Sequence, residues 1–288
     1  FELGPVDRGE DARRDICLTL EDMGFEIEAS HHECAPGQHE IDFKYSEALT
    51  AADNIMTFKL AVKSIAERHK LHATFMPKPL FNEAGSGMHI NMSLCRDGEN
   101  VFADPGDPNG LSKIAYHFIA GIMDHAKGMT AITNPIVNSY KRLVPGYEAP
   151  VYIAWSAQNR SPLVRVPAAR GAGTRIELRN PDPSANPYLV LAVCLAAGLD
   201  GIKRELMPPA STDSNVFKLT DDEREAMGIE NIPDNLDRAV RAMKKDSLIH
   251  RTLGSHAFMK YVAYKQKEWN QYRNVVTEWE IKNYLSRY

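Results

Sequence analysis

Strict alternation of apolar and polar residues marks positions 174–179, where Ile176 and Leu178 point one way and Arg175, Glu177 and Arg179 the other. Successive strand side chains take opposite faces, so this reads as a β-strand with one dry face and one charged face. Residues 88–94 repeat the design, setting Met88, Ile90, Met92 and Leu94 against His89, Asn91 and Ser93. Further alternation predicts strands at 25–29, with Glu26 and Glu28 on one face, and from Glu40 to Lys44. Short strands are expected at 73–76, 151–154 and 163–166. Helical spacing of apolar residues predicts helices at 9–24, 50–70, 111–127 and 233–245, with mostly helical sequence after Asn186-Pro187. Asp97-Gly98 is a hairpin signal. Residues 31–40 read as a turn rich in possible ligands, and 134–150, with Pro135, Pro145, Gly146 and Pro150, as irregular and surface-lying. The pattern is α+β, with a curved, mostly antiparallel sheet lining a cleft and helices behind it.

Bulk properties narrow the class without naming a chemistry. At 288 residues the chain suits one large domain or two small ones. Its 43% hydrophobic and 25% charged content is that of a soluble globular protein, and a net charge of −4 gives no basic footprint for nucleic acid. Cys17, Cys34, Cys95 and Cys194 lack CxxC spacing, which points away from zinc and disulfides and toward thiols of a reducing cytoplasm. The longest apolar run, 188–199, ends at Asp200 and falls short of the ~20 residues that span a bilayer, so it reads as a buried core helix. A start at Phe1, with no Met, suggests a fragment.

Chemistry concentrates on the polar strand faces. Glu33 and Glu40 flank a Pro-Gly turn that can bring two carboxylates together, and His89 and Glu177 add an imidazole and a third. Singly, each reads as a solvated glutamate or a satisfied core histidine. Together they form an oxygen-dominated donor set that favours Mg²⁺ or Mn²⁺ over zinc. His31 and His32 could be metal ligands, but adjacent residues on a strand point apart, so both together are not expected. Arg142, Arg160, Arg165, Arg170, Arg175 and Arg179 crowd one region. Surface arginines and cross-strand charge pairs are the plain alternative. Guanidinium forks beside divalent cations are also what phosphoryl transfer requires. Neither GxxxxGK[ST] nor GxGxxG is present, so another nucleotide-binding fold is needed.

The segment Asn138-Ser139-Tyr140-Lys141-Arg142-Leu143-Val144-Pro145-Gly146-Tyr147-Glu148-Ala149-Pro150 resembles the glutamate flap of glutamine synthetases. Lys78-Pro79 through Gly85-Ser86-Gly87-Met88-His89 is similar to their ATP-binding signature, and Asn159-Arg160-Ser161 and residues 175–183 match two more blocks. The resemblance, to the bacterial type I enzymes, runs along 1–288. It implies the glutamine synthetase catalytic, guanido-kinase-like fold, and ligation of ammonia to L-glutamate through γ-glutamyl phosphate made from ATP.

Position by position, the resemblance implies one metal on Glu33 and Glu40 and another on His89 and Glu177. It implies ATP contacts from Glu28, Tyr45, Asn91, Met92 and Ser93, phosphate contacts from Arg160 and Arg165, and glutamate contacts from Ala84, Gly85, Arg142, Glu148, Arg160 and Arg179. Glu148 would take a proton from ammonium, and Glu148, Arg160 and Arg179 would carry the catalysis. Ala84 departs from the family's Asn. The family's N-terminal β-grasp domain and first metal-binding strand would lie before Phe1, leaving this chain alone inactive. The resemblance further implies a cytoplasmic dodecamer of two hexameric rings. No tyrosine occupies residues 205–215, which implies feedback inhibition rather than adenylylation. Residues 279–288 resemble tails that touch nitrogen-response transcription regulators. Rivals are a γ-glutamyl-amine ligase using a polyamine and a non-catalytic fragment that binds such a regulator.

Overall fold

A computed structural model describes residues 1–144, 149–212 and 216–288. Helix α1 (Glu10–Asp22) turns Ala12, Ile16 and Leu20 inward against α2 (Ala48–Arg68). Between them β1 (Ile27–His32) and β2 (His39–Phe43) form an antiparallel ribbon. Phe25, Phe43 and Phe58 pack ring to ring beneath it, at centroid distances of 5.5 and 5.8 Å, and give this lobe a small core of its own. The register slips between Ile27 and Ala29, so Glu28 is the extra residue of a β-bulge. Such bulges re-aim a side chain.

The larger lobe begins with β3 (Ile90–Met92) and the hairpin of β4 (Cys95–Arg96) and β5 (Glu99–Asn100), which turns at Asp97-Gly98 as predicted. Helices α3 (Lys113–Asp124), α4 (Ala126–Thr133) and the single turn α5 (Ser139–Arg142) follow, then β6 (Trp155–Ser156), β7 (Val164–Arg165) and β8 (Ile176–Leu178). Pro187, preceded by the Asn186 cap, opens α6 (Pro187–Lys203), and α7 (Asp221–Ala226), α8 (Leu236–Lys245), α9 (Ser247–Tyr272) and α10 (Glu278–Tyr284) complete the chain. The sheet order is β3-β8-β7-β6, antiparallel except for β6 beside β7. Ile90, Val164, Ile176 and Leu178 press into a core shared with Phe102, Phe118 and Val193. Helices α3 and α6 cross so closely that a Cβ on Gly121 would lie 2.1 Å from the Ala197 carbonyl oxygen.

Several expectations need correction. The ligand-rich turn at 31–40 is narrower than its composition suggests. His31 and His32 extend β1, and the turn closes where Glu33 N–H donates to Gln38 O at 2.7 Å. Residues 73–76 form no strand, because Phe75 is drawn onto Phe58 (6.0 Å) beneath Lys59 and Lys63 instead of pairing along its backbone. Within 134–150 the described part is not surface-lying. Tyr140, Arg142 and Leu143 are buried, since this segment carries polar groups into the site. Residues 151–154 pair with 230–232 (Ile153 N–H to Glu230 O, Ile232 N–H to Val151 O), and the strand starts only at Trp155. The helix expected at 111–127 is divided at His125. The apolar run 188–199 is buried on one side only, with Leu195 40% and Leu199 45% exposed. Among the described residues no helix is long and apolar enough to cross a membrane.

His125 explains the division between α3 and α4. Its Nδ1 lies 2.7 Å from Asp246 Oδ2 and its Nε2 3.1 Å from Asp200 Oδ2, tying this junction to α6 and to the residue that caps α9. Burial opposes the imidazolium, but the bonds to Asp246 and Asp200 outweigh it and raise the pKa above the ordinary histidine value. The stability this confers is complete below the unfolded-state value of about 6.5 and is lost as pH rises through the higher folded value. The melting temperature should therefore fall from pH 6.5 toward pH 9 in the unaltered protein. Replacing His125 by Gln should flatten that decline, as thermal scans at stepped pH would record.

Candidate active site

Glu177 is the centre of the sheet's polar face. It sits in β8, the strand between β3 and β7, with Asn91 opposite on one side and Arg165 on the other. Arg165 Nη1 donates to Glu177 Oε2 at 2.6 Å, and Arg179 Nη1 to Oε1 at 2.7 Å. His89, just before β3, brings Nδ1 to 3.1 Å from Oε1. Against the effect of burial, the His89 bond and the Arg179 and Arg165 charges hold the Glu177 carboxyl down to about 2. It is thus an anion across the whole physiological range. Enclosure, reinforced by Arg179 and Arg142 against the pull of Glu177, lowers the His89 pKa, leaving a neutral imidazole able to act as a ligand. The plain reading of cross-strand pairing holds for Arg165 and Glu177, yet a charged group only 4% exposed and shared three ways is more than a surface pair.

The β1–β2 ribbon supplies a second acidic cluster. His31 Nδ1 is 3.6 Å from Glu33 Oε1 and its Nε2 3.8 Å from Glu40 Oε1. Asp42, two residues along the same strand face, joins them, and ligand atoms of His31, Glu40 and Asp42 all lie within 4.8 Å of one another. Burial, then the Asp42 and Glu33 carboxylates, push Glu40 up to about 7. Carboxylates crowded until one resists ionising are a donor set in want of a cation, and hard oxygen donors fit Mg²⁺ or Mn²⁺. Burial also raises the Asp42 carboxyl, against its hydrogen bond with Glu40. Gln38 fastens the ribbon to the next segment, its Nε2 donating to Gly85 O at 3.1 Å and Ser86 Oγ at 3.2 Å.

Arg142 closes the arrangement. It is 3% exposed, and its Nη1 donates to Asn180 O at 2.7 Å and Pro181 O at 3.4 Å, its Nη2 to Arg179 O at 3.2 Å. Burial pulls its pKa down to about 10, which still leaves it charged. No carboxylate pairs with it among the described residues. Gly87 lets the guanidinium approach, since a Cβ there would lie 2.6 Å from Arg142 Nη2 and 3.0 Å from His89 Nε2.

The remaining expected residues fall around this centre. Asn91 accepts from Arg175 Nε at 3.1 Å, Met92 is half-buried beside it, and Ser93 is exposed just beyond β3. Arg160 is exposed and acts on the charge of Arg179. Ala84 is half-buried next to Gly85, and Glu28 and Tyr45 are exposed, at the ribbon's bulge and just past its end. Glu148 lies outside the described residues. Asp42 and Gln38 were not anticipated; alternation of Asp42 with Glu40 was the available signal, while Gln38 gave none. Of the adjacent pair His31 and His32, expected to point apart, His31 faces the Glu33 and Glu40 carboxylates. A separate cavity of about 620 Å³, lined by Asp104, Asp107, Asn109, Gln158 and Arg170, contains none of these groups.

Residues 1–284 match the family described as glutamine synthetase, catalytic domain. The chain belongs to that family. It is 65% identical over all 288 residues to glutamine synthetase of Clostridium saccharobutylicum and 58% identical to that of Staphylococcus aureus strain MW2. In each case it spans 65% of the relative's length. Among solved structures, a GmaS/ADP complex superposes with a TM-score of 0.89 at 42% identity, over 97% of this chain and 64% of that one. Plasmodium falciparum glutamine synthetase, solved by cryo-electron microscopy, gives 0.88 at 30% identity, over 99% and 63%. The α+β catalytic-domain fold is thereby shown.

Glu177→Gln should strand two guanidiniums, and removing one partner of a buried pair costs about 3–5 kcal/mol. Denaturant melts should show that loss, and Mn²⁺ titration should show weaker binding. In acid, the stability contributed by Glu177, complete above pH 4.5, should be lost progressively as the pH falls from 4.5 toward 2, as melts at stepped pH would record.

Proposed function

We propose that residues 1–288 are one catalytic domain of a glutamate–ammonia ligase, which makes L-glutamine from L-glutamate, ammonium and ATP. The observation that carries this reading is the buried, charged Arg142, which lacks a carboxylate partner among the described residues and lies at Gly87 beside His89, the partner of Glu177. A buried cation of this kind calls for an anionic ligand, and an amino-acid carboxylate provides one.

Arg142, Gly85 and Arg179 orient glutamate, with Ala84 adjoining. Glu28, Tyr45 and residues 91–93 hold the nucleotide, and Arg160 and Arg165 offset charge on the transferred phosphate. Two divalent cations, Mg²⁺ or Mn²⁺, would be held by Glu33 with Glu40 and by His89 with Glu177, and when bound they neutralise phosphate charge. The glutamate carboxylate attacks the terminal phosphorus of ATP, and ADP leaves. Glu148 removes a proton from ammonium, so that ammonia can displace phosphate from γ-glutamyl phosphate. A loop that excludes water protects this acyl phosphate from hydrolysis. The whole protein, longer than this chain in its relatives, assembles in the cytoplasm as a dodecamer of two hexameric rings. Its C-terminal segment is available to a nitrogen-response regulator.

The full-length polypeptide should release glutamine only when ATP, Mg²⁺ and ammonium are supplied together. Glu148→Ala should lower turnover by about a hundredfold or more while ADP binding is kept, and undiminished turnover in that variant would remove Glu148 from the reaction. Putrescine in place of ammonium should give no product; efficient γ-glutamyl-putrescine formation would favour the amine-ligase reading.

A further inference from the structure

Behind Arg142 lies a group of polar side chains for which the reaction has no evident use. Thr133, Asn134 and Asp182 have no accessible surface, and Asn180 is 3% exposed. Asn134 Nδ2 donates to the Asn180 carbonyl oxygen at 2.7 Å and to Asp182 Oδ2 at 3.0 Å. In return Asn180 Nδ2 donates to Asn134 Oδ1 at 2.9 Å and to Thr133 Oγ1 at 2.8 Å, and the Thr133 hydroxyl donates to Asn134 Oδ1 at 2.9 Å. Asp182 N–H donates to Thr133 O at 3.1 Å.

This arrangement is costly. Buried amides add little net stability, and Asn180 Oδ1 has no hydrogen-bond partner among the described residues. An apolar cluster of the same volume would serve packing better. What the polar group does supply is a fixed main chain. The Asn180 carbonyl accepts from Asn134 and Arg142 together, both at 2.7 Å, so its two lone pairs are committed to one side chain of the clamp and one of the site. The flanking Arg179 and Pro181 carbonyls take the other Arg142 bonds, and Pro181 O also receives Met88 N–H at 2.9 Å, next to His89.

We propose that Thr133, Asn134 and Asn180 are positioning residues for the substrate-carboxylate guanidinium, acting through the three carbonyls 179–181. This rests on the reading of Arg142 as a glutamate-binding group. A guanidinium without a carboxylate partner is aimed only by what its N–H groups donate to, and the clamp is what keeps those carbonyls in line. Displacing it by a fraction of an ångström misplaces the substrate carboxylate and leaves nucleotide binding alone.

The test uses the full-length polypeptide. Asn134→Ala and Thr133→Val should each raise the KM for glutamate about ten- to a hundredfold, with the KM for ATP changed by less than about twofold. Thr133→Ser, which keeps the hydroxyl, should behave like the unaltered protein. Thr130→Ala removes a hydroxyl bonded only within α4 and should lower the melting temperature without moving either KM. Should Asn134→Ala not fold, the Thr133→Val and Thr133→Ser pair decides. An unchanged KM for glutamate in Thr133→Val, or a parallel fall of every constant, overturns the positioning role. An unaltered protein that makes no glutamine overturns both this inference and the functional reading beneath it.

Discussion

A single buried carboxylate organises this molecule. Glu177 is shared among Arg165, Arg179 and His89, and each comes from a different stretch of chain. An anion taken out of water is tolerated only when its lone pairs are engaged. That demand draws β3, β7 and β8 into one sheet, and Gln38 ties the β1–β2 ribbon to the Gly85-Ser86 segment that leads to His89. Arg142 joins them, next to His89 across Gly87.

Charge is distributed unevenly across it, and the unevenness is the useful part. On the ribbon, burial and then the Asp42 and Glu33 carboxylates push Glu40 up to about 7, while on the sheet Glu177 is held down to about 2. Beside it stands Arg142, a cation answered, among the described residues, by carbonyl dipoles. One side lacks positive charge and the other lacks negative charge. Two divalent cations, a triphosphate and an amino acid together would balance both deficits. Preorganised charge of this kind acts on a transition state without reorganising as it forms.

Much of this was legible from alternation. The strands around His89 and Glu177, the ribbon carrying Glu40 and the turn at Asp97-Gly98 follow from side-chain periodicity alone, because each buries one face. What stayed hidden depends on long-range closure. Nothing local in Asn134 or Asn180 announces an amide pair across 46 positions, and the proline-rich composition of 134–150 suggested exposure where Arg142 is buried. The adjacent histidines part as strand geometry requires, and His31 is the one that faces Glu33 and Glu40. Residues 73–76 show the converse failure, a β-prone run captured by an aromatic contact. Glu148 falls outside the described residues, so its place rests on the sequence.

The most direct test of the central claim is anomalous diffraction from crystals of the full-length protein grown with Mn²⁺ and a non-hydrolysable ATP analogue. The account predicts manganese peaks beside Glu177 and His89 and beside Glu33 and Glu40, with the analogue's phosphates between them and the arginines. Manganese bound elsewhere, with Glu177 still locked to Arg165 and Arg179 and facing no ion, would contradict it.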